Sequence, residues 1–373
     1  MHVLLIGKYP PCQGGIASTA FWLAHTLKKR QGMTWSVVTC RPENYSSEPC
    51  IEDPALQVKI VGEQNSRPWF IPGDDLLIAQ LASAGLELAK KNRPDVVEAN
   101  YLAPFAIAGW MVAKALDRPF VIRPAASDIA KLLVWEPITP MLRHILNEAD
   151  LLVLSENKAS ALAAHAIAGK RVLRMERYVP DGTIFSPNVA PPSPQPTLLA
   201  ATKVPFLWRN KGVDAACHAL FATKDWSLTL LADGHYRGRL LEEVHAILPA
   251  SRVAARHFIA PDEMPIAIAN SWAVWAATKT EGVEDFPNLA WEAAKCGRIC
   301  FLAEHQRATT QLEGIPSLFL RFIDPDQPDS IAAELRTIPL PDTFATKVPV
   351  SDESHAAWCD KLAFAYRELV LVP

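Results

Sequence analysis

Short apolar runs alternate with longer stretches in which apolar positions recur every three or four residues. His2–Ile6 (HVLLI) reads as a buried strand. Ile16–Arg30 follows as an amphipathic helix, with Ile16, Leu23 and Leu27 on one face and Lys28, Lys29 and Arg30 at its end, where cations suit the helix dipole. Strands are predicted at Ser36–Thr39, Asp95–Glu98, Phe120–Arg123 and Leu151–Ser155, with helices at Leu76–Lys91, Pro104–Leu116 and Lys158–Ala168. The proline-rich run Ser186–Thr197 (SPNVAPPSPQPT) can be neither a helix nor a central strand, and reads as an interdomain linker. Beyond it the alternation restarts. Strands fall at Leu198–Ala201, Ser227–Leu231, Val253–Ile259, Ala273–Thr278, Ile299–Ala303 and Leu318–Phe322. Helices fall at Val213–Phe221, Gly238–Leu248, Asp262–Asn270, from Pro287 or Asn288 to Gly297, and at Ile331–Arg336. A last helix spans Glu353–Leu369.

Continuous apolar strands between helices imply parallel sheets covered on both faces. The expected fold class is therefore α/β, two Rossmann-like parallel-sheet domains facing across a cleft. The predicted domains are 1–190 and 191–352, followed by the segment 353–373. Ligands of such sheets bind at the carboxyl ends of the strands, and with two domains the cleft between them is the natural place.

Composition narrows the partners. At 373 residues, half of them hydrophobic, the chain can bury two cores. A net charge of -3 gives no reason to expect nucleic acid. Seven cysteines scattered from Cys12 to Cys359, none with zinc spacing, suit reduced thiols in a cytoplasm. Met1–Gly7 reads as a strand with no basic stretch before it, so a secretory leader is not expected. The uncharged apolar runs Leu102–Ala113 and Pro265–Thr278 are too short to span a membrane.

Candidate chemistry concentrates in Glu281–Gly297, EGVEDFPNLAWEAAKCG. Glu284 and Glu292 have seven residues between them, the first in a loop after a strand and the second inside a short helix. A helix N-terminus after a strand suits an anion, whereas carboxylates beside it suit sugar hydroxyls. The ligand would then carry both phosphate and hydroxyl groups; a solvated loop with a surface helix fits the same residues. Trp208-Arg209-Asn210-Lys211-Gly212 places two cations directly before a helix, a conflict with the dipole that a bound anion relieves. After the first strand, Gly14-Gly15 lets backbone amides approach a ligand, or simply makes a tight turn. That loop lacks GxGxxG, and Cys40-Arg41 stands where a dinucleotide fold wants an acidic residue, so NAD is not expected.

These residues together resemble a GT-B retaining glycosyltransferase of glycosyltransferase family 4 (group 1), over nearly the whole chain. EDFPNLAWEA, holding Glu284 and Glu292, is similar to that family's paired-glutamate motif, and PPCQGGIA to its N-terminal PPxxGG loop. Arg209 and Lys211-Gly212 resemble its basic donor-phosphate pair, Ala232-Asp233-Gly234 its GxG turn, and Asp181 with Phe185 its D-x3-F element. The resemblance implies transfer of a sugar from a nucleotide-diphosphate sugar to an acceptor with retention, in polysaccharide or cell-envelope synthesis. Glu292 would hold the ribose and Glu284 the donor sugar. Arg209, Lys211 and the amides of Gly15, Asn288 and Leu289 would face the diphosphate. Gly14, Lys203 and Gly234 would complete the donor site. No metal and no other cofactor is implied. The last helix would cross back onto the first domain.

Two departures stand out. In Val121–Asp128, similar to the family's HGxD segment, Ala125 occupies the histidine position, leaving Arg123, Ser127 or Asp128 as substitute contacts. The family's arginine, five residues before the lysine, is Phe206 here, so Lys203 or Arg209 would take its part. The acceptor, a glycan or lipid-linked sugar, is expected on the first domain. Lys131–Leu146, with Val134, Trp135 and Met141, is either a core-facing helix or a surface that meets the inner face of a membrane. A catalytically silent protein that binds a sugar nucleotide or a partner, and a sugar-nucleotide epimerase, are the alternatives.

Overall fold

The computed structural model describes residues 1–42, 56–64, 75–175, 180–204, 208–279, 288–308, 312, 314–341 and 355–371. Two compact units divide the chain: Met1–Tyr178 with Ala356–Pro373, and Val179–His355. Both are α/β units with parallel sheets, as the alternation predicts.

In the first unit, β1 (His2–Gly7), β2 (Thr34–Pro42), β3 (Leu56–Gln64), β4 (Val96–Asn100), β5 (Phe120–Arg123), β6 (Leu151–Leu154) and β7 (Val172–Arg174) form one sheet in the order β3-β2-β1-β4-β5-β6-β7. Every pairing is parallel, among them Leu4↔Ser36 and Leu5↔Glu98. Helices α1 (Gly15–Gln31), α2 (Asp75–Lys91), α3 (Ile107–Leu116), α4 (Ala126–Leu132), α5 (Thr139–Glu148) and α6 (Glu156–Ala164) connect the strands. The central strands β1 and β4 are buried along their whole length; β1 is nearly all apolar, whereas β4 also buries Glu98 and Asn100, each held by hydrogen bonds. Strands β3 and β7 lie at the sheet edges, where partial exposure dilutes the apolar signal.

In the second unit, β8 (Thr197–Lys203), β9 (Ser227–Asp233), β10 (Val253–Arg256), β11 (Ala273–Trp275), β12 (Ile299–Ala303) and β13 (Leu320–Ile323) pair in parallel in the order β10-β9-β8-β11-β12-β13. Helices α7 (Val213–Ala222), α8 (Arg237–Ile247), α9 (Met264–Asn270), α10 (Asn288–Lys295) and α11 (Pro328–Thr337) cover it. Strand β10 stops at Arg256, short of the expected Ile259. Asp233, at the end of β9, draws the following residues off the edge: its Oδ1 meets His257 Nδ1 at 2.5 Å, and its Oδ2 accepts the Phe258 N–H at 2.7 Å. The proline-rich Ser186–Thr197 does not stand free of this unit. Ser193 donates its N–H to Asn270 O and accepts from Trp272 Nε1, each at 2.8 Å.

Helix α12 (His355–Leu371) returns the chain to the first unit, as expected of the last helix. Its Tyr366 hydroxyl donates to Glu98 Oε2 on β4, and Arg123 Nε on β5 donates to Glu98 Oε1. Burial, reinforced by the adjacent Glu98 carboxylate, holds the Tyr366 hydroxyl well above its ordinary value, so it stays a donor. Among the described residues, no helix is long and apolar enough to cross a membrane.

Candidate active site

In the second unit the strand order reverses between β8 and β11, and a crevice opens at such a switch point beyond the carboxyl ends of the strands. The residues after these two strands are the ones the sequence singles out. After β8, Trp208–Lys211 forms a 3₁₀ turn, and Gly212, with a left-handed φ of 61°, redirects the chain into α7. The turn is bolted to the segment after β11. Trp275 Nε1 donates to Lys211 O at 3.0 Å, the Lys279 N–H donates to Asn210 O at 2.8 Å, and Lys279 Nζ pairs with Asp214 at 2.5 Å. Lys211 is half-buried. Arg209 is exposed, lies over the Trp208 ring and pairs with Glu243 on α8. Lys203 is the last residue of β8 and is half-buried. Gly234, with φ of 134°, brings the turn after β9 against the chain beyond β8: a Cβ there would lie 2.7 Å from Val204 O.

Helix α10 opens with Asn288 and Leu289, both half-buried, and carries Glu292 at a position only 5 % exposed. Among the described residues, no group donates to its carboxylate. Burial alone raises the Glu292 carboxyl to about 7. Glu284 lies outside the described residues. Asp181 caps a turn by accepting the Thr183 N–H and hydroxyl, each at 2.8 Å, and Phe185 behind it is buried.

The first unit repeats this arrangement, with its reversal between β1 and β4. Asn100, at the end of β4, clamps the loop after β1: its Oδ1 accepts the Lys8 N–H at 2.6 Å and its Nδ2 donates to Lys8 O at 3.0 Å. Gly7 makes room for this clamp, since a Cβ there would lie 2.3 Å from Asn100 Oδ1. Gly7→Ala is therefore expected to expel the Asn100 side chain and cost about 1–3 kcal/mol, the usual loss for buried polar groups left unpaired. Adding Asn100→Ala should cost little more, because both changes remove the same bonds; unfolding midpoints of the two single variants and the double variant check this. The loop ends at Gly14 (φ 95°), which precedes α1 with no side-chain cap, and Gly15 is exposed.

Asp128 is fully buried rather than open to a ligand. Its Oδ2 accepts the Leu102 N–H at 2.6 Å, beside Tyr101 with its positive φ of 92°, and its Oδ1 has no hydrogen-bond partner among the described residues. Ala125 is buried at the start of α4. Lys8 is also buried, with Nζ 3.6 Å from the centre of the Tyr101 ring. Burial pushes its ammonium down, opposed by the charges of Cys12, Asp128 and Cys40.

Burial likewise raises the Asp128 carboxyl to about 7, against the Leu102 N–H and the charges of Lys158 and Lys8. In the unfolded chain an aspartate titrates near pH ~4. Between these values the native chain keeps a proton that the unfolded chain has lost. The contribution to stability is thus full below about pH 4 and fades as pH rises towards 7. Asp128→Asn is expected to flatten this fall in first-unit stability, read from denaturant midpoints across that range.

Lys8, Asn100, Trp275 and the Asp233–His257 pair escaped the sequence reading. Only the polar residues just past apolar strands, Lys8 after β1 and Asn100 closing β4, hinted at them. Among the described residues no group of three or more His, Cys, Asp or Glu side chains is arranged to hold a metal ion.

No protein-family profile and no curated protein sequence matches the chain. Solved structures do. A sucrose-phosphate synthase of Thermosynechococcus elongatus superposes with a TM-score of 0.68 at 15% identity, over 100% of this chain and 99% of that one. HepE of Anabaena, solved with UDP and glucose, gives 0.65 at 15% identity, over 98% and 99%. The chain has the GT-B fold. That fold is shared beyond transferases: a UDP-N-acetylglucosamine 2-epimerase gives 0.55 at 14% identity, over 98% and 96%.

Proposed function

We propose that this GT-B chain is a retaining glycosyltransferase of the family 4 type, which moves a sugar from a nucleotide-diphosphate sugar to a glycan or glycoconjugate. The observation that carries this reading is Glu292: a buried carboxylate, undonated among the described residues, on the first helix after β11 at the switch point. Such an acceptor is completed by ligand hydroxyls, and here the ribose supplies them. Lys211, held by Trp275, is assigned to the leaving diphosphate with the amides of Asn288 and Leu289. Lys203 stands nearer the sheet than Arg209, which Glu243 already occupies. We assign Glu284 to the donor sugar. Gly14 and Gly15 form the anion-facing turn of the first unit. Asp128 acts through the Tyr101–Leu102 corner as a positioning residue. No metal is assigned, because the cations and helix amides neutralise the leaving group.

A panel of nucleotide-diphosphate sugars, with and without saccharide acceptors, tests this. The expected result is nucleoside diphosphate released only when an acceptor is present, with a product that keeps the donor's anomeric configuration by NMR. Conversion of a donor to its epimer without acceptor would replace the reading with an epimerase. Binding without turnover would make the chain a silent member of the fold.

A further inference from the structure

The Gly7–Gly14 loop carries a chemistry that sugar transfer does not use. Cys12 Sγ lies 3.7 Å from Cys40 Sγ, although the two residues are 28 apart in sequence. The Cys12 thiol donates to Cys40 O at 3.2 Å, and the Thr39 hydroxyl donates to Cys12 Sγ at 3.6 Å. Cys40 sits in β2 where the register with β3 shifts between Thr39 and Arg41. The loop is tied to the same place a second time, because Thr39 Oγ1 also meets Tyr9 N and Tyr9 O. The two thiols are thus in contact, and neither takes part in a disulfide. The buried ammonium of Lys8 interacts electrostatically with both sulfurs. A nearby cation favours thiolate, the reactive form, while burial opposes it. Joining them requires the sulfurs to close from 3.7 Å to about 2.05 Å.

We propose that Cys12 and Cys40 are an oxidative modification site, which hydrogen peroxide converts to a reversible disulfide. Cys12, at 6% exposure, is reached before Cys40, at 0%. Its thiolate attacks a peroxide oxygen; the O–O bond breaks, and sulfenic acid and water form. The Cys40 sulfur then attacks the sulfenyl sulfur. The S–O bond breaks, the S–S bond forms, and a second water carries away the remaining oxygen. In sum two thiols lose two electrons and two protons, and one hydrogen peroxide is reduced to two waters. A thiol reductant reverses the bond. It would fasten the loop two residues before Gly14 to the end of β2.

The test treats the full-length native protein with hydrogen peroxide, followed by alkylation of remaining thiols, digestion without reductant and mass spectrometry. The expected result is a Cys12–Cys40 linked peptide lighter by two hydrogen atoms than the sum of its reduced parts, lost on dithiothreitol treatment. Cys40→Ser should leave Cys12 as a sulfenic acid trapped by dimedone, whereas Cys217→Ser should leave the linked peptide intact. Both Cys12 and Cys40 fully alkylated after peroxide, or Cys12 linked to another of the seven cysteines, would overturn the proposal. The wild-type peptide map decides even where a variant fails to fold.

Discussion

Lys211→Ala is expected to lower kcat/KM for nucleoside diphosphate release by about 10²–10³-fold, the usual cost of removing one preorganised contact to developing charge. It should also weaken binding of free nucleoside diphosphate, since the diphosphate carries its charge before as well as after transfer. Arg209→Ala should change the same quantities only a few-fold. The two side chains differ in setting, not in charge. Lys211 is half-buried, and the carbonyl of its turn is fixed by the Trp275 indole. Arg209 is exposed and already paired with Glu243, and exposed pairs are worth about 0–1 kcal/mol. Steady-state kinetics and calorimetry on the two variants check this ranking. A larger loss for Arg209→Ala would move the diphosphate towards α8.

Arg123→Met is expected to destabilise the first unit by about 3–5 kcal/mol, because it leaves a buried carboxylate without its counter-charge. Glu98 is wholly inside the sheet, and its two oxygens are divided between Arg123 on β5 and Tyr366 on α12. Removing Arg123 strands the charge, and Tyr366 alone cannot compensate it. Tyr366→Phe takes away a single donor and should cost about 1–3 kcal/mol. The consequence is local: α12 should exchange its amide hydrogens faster in both variants, with the second unit unaffected. Hydrogen exchange resolved by peptide separates the two units where a single unfolding midpoint would not. If both variants leave α12 protection unchanged, the triad does not hold the terminal helix.

Much of this fold was legible in the residues. Central strands such as HVLLI and ICFLA are buried on both faces, so they advertise themselves as unbroken apolar runs. The edge strands β3 and β7 escape the pattern because their open positions accept polar residues, Gln57 and Lys59 in β3 and Arg174 in the three-residue β7. Helices α4 and α5 were blurred into one amphipathic stretch. The Trp135 carbonyl, which accepts the Ile138 and Thr139 N–H groups and the Thr139 hydroxyl, turns the chain between them, and Pro137 inside that corner is the one sequence mark of the break.

The candidate site was legible where its chemistry is local in sequence. Glu292 on its helix, Gly212 at the turn and Lys211 before it could be read from spacing. Long-range contacts could not be. That Trp275 anchors Lys211, that Asn100 clamps Lys8 and that Asp128 spends its carboxylate on the Leu102 N–H follow only from the strand order. Asp128 shows the difference most clearly. The resemblance to the HGxD segment made it a candidate ligand contact; the structure shows it buried, with its Oδ2 on the Leu102 N–H beside Tyr101.

Glu292 is proposed to grip the ribose of a nucleotide donor. The most direct measurement compares binding of a nucleoside diphosphate with that of its 2′,3′-dideoxy analogue, in the wild type and in Glu292→Gln, by calorimetry. Hydrogen bonds to a charged acceptor contribute about 1.5–3 kcal/mol. The wild type should therefore prefer the ribonucleotide by roughly 10–100-fold, and Glu292→Gln should lose most of that preference while keeping its affinity for the dideoxy compound. Equal binding of the two nucleotides by the wild type, or an undiminished preference in Glu292→Gln, would contradict it.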